Sequence, residues 1–317
     1  MELELRHLRV LCAIADTGGL GRAAAAMGLS QPAMSTQLRR IERVFGEALF
    51  VRDSGGVRLT PYGLDVVERA RDVLDRADAL IRRPTGPPEG VTTLRLGSTT
   101  TPILPGLVAR LRNALPAVSV TVSSVYGTDT LVEALEGGEL DVALAMDYPG
   151  LDLRHSAAVA HRVVATEPAF VAMPADHPLA HRVEVSLAEL AGDTWFVTPD
   201  DGAGWPGVFY AACREAGFTP PATHEFLGTD QTLAMIAARL GVTACQPTVR
   251  AVAGLNVKPL TGSPLWCRHI LAWRVDGPGA ALAAALHHHA VSVYRELIPR
   301  APHFRAWLHR NRVAPTG

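Results

Sequence analysis

Between Ala23 and Glu42 the chain reads AAAAMGLSQPAMSTQLRRIE, and two helical patterns meet there with only Gly28-Leu29-Ser30 between them. Ala is the strongest helix former, so the stretch opens as helix. Gly28 supplies a tight turn. Ser30 suits an N-cap, its hydroxyl accepting a free backbone N–H, and Pro32 falls in the first turn, where no N–H is needed. Met34, Leu38, Ile41 and Phe45 then form one apolar face at steps of 4, 3 and 4. The other face carries Gln31, Ser35, Thr36, Arg39 and Arg40. Two short helices joined by a three-residue turn containing Gly predict a helix-turn-helix, whose second helix presents its N-terminal half to a DNA major groove. Gln can pair there with adenine at two points, and Pro32 and Ala33 are apolar enough to touch a thymine methyl. Periodicity alone fits an ordinary three-helix bundle with a polar outer face equally well.

The flanks separate the two. Upstream, Leu5, Leu8, Leu11, Cys12 and Ala15 recur at helical spacing until Thr17-Gly18-Gly19 stops the helix. Downstream, Ala48–Arg52 and Val57–Thr60 are strand-like runs around Asp53-Ser54-Gly55-Gly56, a hairpin signal. A hairpin directly after a recognition helix is a wing, on which Arg52 or Arg58 can meet phosphate or the minor groove. Thr60-Pro61 opens another helix. Its apolar stripe of Leu64, Val67, Val73, Leu74, Ala77, Leu80 and Ile81 has nearly heptad spacing. To Arg83 it spans roughly 36 Å, and a long helix with one apolar seam needs a partner, most simply its copy in a second subunit. Residues 83–90, RPTGPPEG, form the clearest linker in the chain.

Three stretches, LRHLRVLCAIADTGGLGRAA (5–24), GLSQPAMSTQLRRIE (28–42) and LFVRDSGGVRLTPYG (49–63), resemble the LysR-type transcriptional regulators in wording and order. That resemblance implies a cytoplasmic homodimer or homotetramer that binds a partly palindromic operator in double-stranded DNA, works with RNA polymerase, and carries a C-terminal domain for a small effector. It places Gln31, Pro32, Ser35 and Thr36 where base contacts are made, and Arg52 on the wing. The DNA-binding set is then Gln31, Pro32, Ala33, Ser35, Thr36, Arg39, Arg40 and Arg52. Two departures stand out. Gly18-Gly19-Leu20-Gly21 lacks the hydroxyl that commonly caps the second helix, and the wing tip Ser54-Gly55-Gly56 lacks a second basic residue.

From residue 92 strand and helix patterns alternate. Leu94–Gly97, VSVTVS (118–123) and LDVALA (140–145) are strands separated by helices over 103–115 and 130–136. FVAM (170–173), WFVT (195–198), THEF (223–226) and VTAC (242–245) repeat the scheme before LWCRHILAW (265–273) and a helix from Gly279 to Leu297. Such alternation predicts parallel sheets with right-handed crossovers. The resemblance extends to the fold of type 2 periplasmic binding proteins. It implies two α/β lobes, with crossings near Val163–Glu167 and Cys267–Leu271. The expected organisation is a winged helix-turn-helix over 1–59, a dimerisation helix and hinge over 60–91, and an effector domain over 92–299. Lobe I takes 92–163 and 271–299, lobe II takes 164–270, and a basic tail follows over 300–317.

Ligands of open α/β sheets bind beyond the carboxyl ends of strands, often at helix N-termini. Ser98, Thr99, Thr100, Thr128, Thr198 and Thr229 fall at such ends, with Trp205 and Phe209 as an apolar wall. Hydroxyls and free N–H groups suit an organic acid or another small polar metabolite. Ser and Thr are also simply good helix caps.

The remaining features narrow the function classes. No apolar run reaches the ~18–20 residues that span a bilayer, and MELELRHLRV is not a signal peptide, so no membrane role is expected. Cys12, Cys213, Cys245 and Cys267 lie far apart, which suits a reducing compartment. Residues 1–83 carry 13 Arg against 11 acids, a slight basic excess in a chain of net charge −1. GxSxG, HExxH, a Walker loop and a strand-borne GxGxxG are absent, so neither a catalytic site nor a metal or cofactor is expected. A soluble solute-binding protein and an α/β enzyme are the competing readings. His287-His288-His289 on a helix point about 100° apart and cannot share one ion. In the tail, the aromatics Phe304 and Trp307, with Leu308, lie between basic residues and are expected to pack on the protein.

Overall fold

The computed structural model describes residues 3–53, 56–60, 92–220, 223–225, 228–250 and 252–311, with positions 62, 63, 66, 67, 69, 70, 73, 74 and 77. Two units separate, residues 1–85 and residues 86–307, with 308–314 grouped with the first.

In the first unit α1 (Leu5–Thr17), α2 (Leu20–Ala26) and α3 (Gln31–Phe45) precede a hairpin of β1 (Phe50–Asp53) and β2 (Gly56–Leu59). Leu8, Leu11, Ile14, Leu20, Ala23, Met34, Leu38, Ile41 and Leu49 form one core. Gly28, at φ +66°, makes the turn between α2 and α3, a conformation costly for residues with a Cβ. Ser30 caps α3 by accepting Ala33 N–H at 3.3 Å. The N-cap of α2 is Gly19, with no side-chain cap bond; the Arg22 guanidinium instead folds back to Thr17 O at 2.6 Å. Glu42 accepts the N–H groups of Leu49 (2.8 Å) and Phe50 (3.2 Å), fixing the wing against α3. Thr60 donates to Ala48 O and accepts Gly63 N–H, both at 2.9 Å. Gly63 lies so close to the wing that a Cβ there would run into the Leu49 carbonyl. The described positions from Tyr62 to Ala77 are helical, and Val66, Val67 and Ala70 join the core. Leu64, Leu80, Ile81 and the linker lie outside the described residues, as do Ser54, Gly55 and the Arg52 side chain.

The second unit holds two five-stranded sheets. The first sheet has β3 (Thr93–Ser98), β4 (Ser119–Ser124), β5 (Val142–Asp147), β6 (Val159–Pro168) and β12 (Trp266–Arg274), ordered β4-β3-β5-β12-β6. The second has β7 (Phe170–Pro174), β8 (Trp195–Val197), β9 (Thr223–Glu225), β10 (Val242–Cys245) and β11 (Leu255–Pro259), ordered β11-β7-β10-β8-β9. Helices α4 (Ile103–Ala114), α5 (Thr128–Glu136) and α8 (Pro278–Leu297) pack with the first sheet, while α6 (Gly207–Glu215) and α7 (Thr229–Ala237) follow strands of the second. β3, β4 and β5 run parallel, as do β8, β9 and β10.

The lobe boundaries differ from those expected. β6 and β12 pair antiparallel from Val159↔Arg274 to Pro168↔Trp266. The backbone groups of residues 164–168 are therefore satisfied within lobe I, and the chain crosses only at Ala169. It returns between Pro259 and Trp266, so 164–168 and 266–270 belong to lobe I. The apolar residues of the tail pack on the protein, as expected, and they do so from a helix. Residues 302–311 form α9 (Pro302–Asn311), with Phe304 and Trp307 packed on Phe170 at centroid distances of 5.9 and 6.0 Å. Residues 312–317 lie outside the described residues. Among the described residues no helix is long and apolar enough to cross a membrane.

Candidate nucleic-acid interface and effector cleft

Helix α3 has two faces. Met34, Leu38 and Ile41 are buried, whereas Gln31, Pro32, Thr36, Arg39 and Arg40 are exposed and Ala33 and Ser35 half-buried. The helix backbone satisfies its own N–H and C=O groups, so side chains on the outer face remain available to a partner. Arg39 Nε rests at 3.4 Å on Ser35 O. Arg58 is exposed on β2, and the Arg52 backbone stands opposite Val57 in the wing. The core and the Glu42 clamp thus present one short polar helix beside a hairpin.

In the second unit the carboxyl ends of the two sets of parallel strands face each other. Gln246, just after β10, reaches across with Nε2 3.4 Å from Thr100 O and 3.2 Å from Met146 Sδ. Tyr126 donates to Pro199 O at 3.0 Å, and Tyr148 donates to Asp201 Oδ2 at 2.6 Å. Asp201 Oδ1 takes the N–H groups of Ala203 (2.9 Å) and Trp205 (3.0 Å), and its carbonyl takes Thr128 N–H at 2.8 Å. Burial, reinforced by the Asp201 charge, pushes the Tyr148 hydroxyl far above its ordinary range, so it stays a donor. The Tyr148 ring stacks on Trp205 at 6.2 Å, and Phe209 is fully buried in the lobe II core.

The six expected effector contacts divide. Ser98 is fully buried and donates to Thr99 O at 2.7 Å. Buried Thr99 gives its N–H to Leu144 O at 2.9 Å, with its hydroxyl 3.5 Å from the same oxygen. Buried Thr128 donates its hydroxyl to Met146 O at 2.8 Å and accepts Met146 N–H at 3.4 Å. Thr198 is half-buried beside Tyr126, while Thr100 and Thr229 are exposed. The α5 N-terminus is occupied as well, because Asp129 Oδ1 accepts Thr130 N–H at 2.8 Å next to the Thr128–Asp201 bond.

Behind the cleft lies a second buried cluster. His269 Nε2 is 2.8 Å from Glu167 Oε1, and Tyr294 donates to Glu167 Oε2 at 2.7 Å. His269 Nδ1 is 3.3 Å from Thr101 Oγ1, which also takes Ile103 N–H at 3.3 Å and so starts α4. The thiols are shielded: burial pushes Cys213 up to about 11 and raises Cys245 further. Such thiols are poor nucleophiles at neutral pH. His287 is tied to Val163 O at 2.8 Å.

Residues 5–64 match the family of bacterial regulatory helix-turn-helix proteins of the lysR family, and residues 67–295 match the LysR substrate binding domain. The chain belongs to the LysR family of transcriptional regulators. This LysR-family regulator is 39% identical over 310 residues to a small neutral protease regulatory protein of Streptomyces coelicolor, covering 97% of this chain and 92% of that protein. It is 30% identical over 283 residues to the transcriptional regulator BudR of Raoultella terrigena, covering 86% and 95% of the two chains. Full-length BenM shares the fold at a TM-score of 0.56 and 21% identity, over 93% of this chain and 97% of that one. The helix-turn-helix is therefore its DNA-binding element, and the two-lobed unit its effector-binding domain.

Sequence reasoning missed side chains that bridge the lobes of this LysR-family regulator, among them Tyr126, Tyr148, Asp201 and Gln246. Asp201 had a local signal in Asp200-Asp201-Gly202, a turn-forming string. Tyr148 and Gln246 had none, because their partners lie 53 and 146 residues away.

Proposed function

We propose that the exposed face of α3, carrying Gln31, Pro32, Ala33, Ser35, Thr36, Arg39 and Arg40, reads an operator in the major groove, with Arg52 on phosphate. The single observation supporting this reading is that polar face, held outward by a core that buries Met34, Leu38 and Ile41. A dimer or dimer of dimers sets two such helices in successive grooves of a partly palindromic site. Its apolar seam is supported by a groove of about 540 Å³ lined by Leu3, Leu5, Phe45, Tyr62, Val66 and Val73. The protein acts in the cytoplasm on RNA polymerase at its promoters and has no catalytic step. The name of its Streptomyces coelicolor relative supports a neutral protease gene among its targets. Sequencing the DNA fragments that the purified protein retains tests this: recurrent inverted half-sites are expected, and retention without a common sequence overturns it.

A small polar effector, organic acids included, binds between the lobes at Thr100 and Thr229, beside Thr198 and Gln246. The Thr128 and Thr130 amides at the start of α5 already have partners, so an acid is held by the 98–101 loop rather than by that helix end. Binding shifts the population of lobe arrangements because the effector competes for the bridging groups. Thr100→Val lowers effector affinity in calorimetry without changing stability; unchanged affinity removes this residue from the site.

A further inference from the structure

The function above leaves one buried cluster without a task. Cys267 and His269 stand two residues apart on β12, so both side chains leave the same face of the sheet. Glu167 is the direct cross-strand partner of Cys267 and shares that face. One donor atom from each of the three lies within 4.8 Å of the others, and all three residues are buried. A hydrogen-bond network of Glu167, His269, Thr101 and Tyr294 accounts for the imidazole and carboxylate but gives the Cys267 thiol nothing to do.

We propose that Glu167, Cys267 and His269 bind a zinc-class divalent cation. One thiolate, one imidazole and one carboxylate are the donor types such ions take, with a fourth tetrahedral position left over. The supporting shell is already in place. On binding, the Cys267 thiol releases its proton to solvent. The His269 proton moves from Nε2 to Nδ1, where it is donated to Thr101 Oγ1 while Nε2 turns to the metal. Tyr294 continues to hold the second Glu167 oxygen. Partners of this kind orient metal ligands and fix the histidine tautomer. The location gives the ion consequence. β6 and β12 are the strands through which the chain passes between lobes, and Thr101 starts α4 at the end of the effector loop. An ion here ties both crossing strands to the cleft wall.

The test uses full-length, reduced protein freed of metal by chelation and titrated with Co²⁺ under nitrogen. One Co²⁺ per chain is expected, with a thiolate-to-cobalt charge-transfer band, tetrahedral d–d bands and displacement by Zn²⁺. Cys267→Ser should lose the charge-transfer band and Cys213→Ser should keep it. Thr101→Val should weaken binding by about 10- to 100-fold, the usual effect of removing a supporting partner. No thiolate band at ten equivalents of Co²⁺, or an unchanged spectrum in Cys267→Ser, overturns the proposal. Should Cys267→Ser fail to fold, X-ray absorption at the zinc edge of the unmodified protein decides. One sulfur among the nearest neighbours supports the site, and none overturns it.

Discussion

Helix α3 and the effector cleft draw on the same residue types, Ser, Thr and Gln, and put them to opposite uses. On α3 the backbone is closed on itself, so Gln31 and Thr36 stand in solvent with their polar groups presented outward. Around the cleft the backbone breaks off at strand and helix ends, and it takes the nearest hydroxyls to complete its hydrogen bonds. Ser98, Thr99 and Thr128 are buried in that service. A hydroxyl at a strand end is first a partner for stranded backbone groups, and only the remainder can meet a ligand.

The comparison can be broken most sharply at α3. Ser35→Glu with Arg39→Glu should weaken duplex retention by about 100-fold or more, since each lost base or phosphate contact is worth roughly 1–3 kcal/mol and the new charges repel phosphate. The thermal midpoint of the two-lobed unit should not move. Retained affinity in a folded double variant would remove α3 as the reading element.

The cleft predicts the reverse, with stability lost before any function is assayed. Tyr148→Phe leaves the buried Asp201 carboxylate short of one donor and should lower unfolding free energy by about 2–3 kcal/mol in urea titration, the range for a bond to a charged group. Thr128→Val should cost about 1–2 kcal/mol, because Met146 O then has no hydroxyl donor. A Thr128→Val protein as stable as its parent would mean the hydroxyl is available to effector after all.

The smallest effect concerns pH. His303 donates toward Pro247 O at 2.7 Å, one residue from Gln246, and burial holds its pKa below the ordinary 6.5. Its unfolded form takes up a proton first, so its contribution is complete above about pH 6.5 and shrinks as pH falls below that. His303→Gln should flatten the stability profile below about pH 6.5, as read by thermal melts; an unaltered slope would show that His303 is already solvated.

Much of the architecture was legible. The α3 face, the Ser30 cap and the wing are local, set by residues within a few positions of one another. β6 was read only as a crossing and β11 not at all. VAHRVVATEP does not alternate cleanly, because β6 is buried at Val164, Ala165 and Glu167 yet exposed at His161, Arg162 and Val163. The bulge in β12 between His269 and Ile270 shifts its register partway along. Cys267-Arg268-His269 has no helical ligand spacing, and its grouping with Glu167 appears only once β12 is a strand and Glu167 lies opposite.

What the sequence determined alone is the reading head and the alternation of elements, since helix periods, caps and turns act over three or four residues. Which hydroxyls are free, where the chain crosses between lobes and what faces Cys267 were decided only by tertiary structure. Apart from Ser98, whose partner is its neighbour, these depend on pairings such as Thr128 with Met146, 18 positions on, and Thr101 with His269, 168 positions on, whose partners no local pattern encodes.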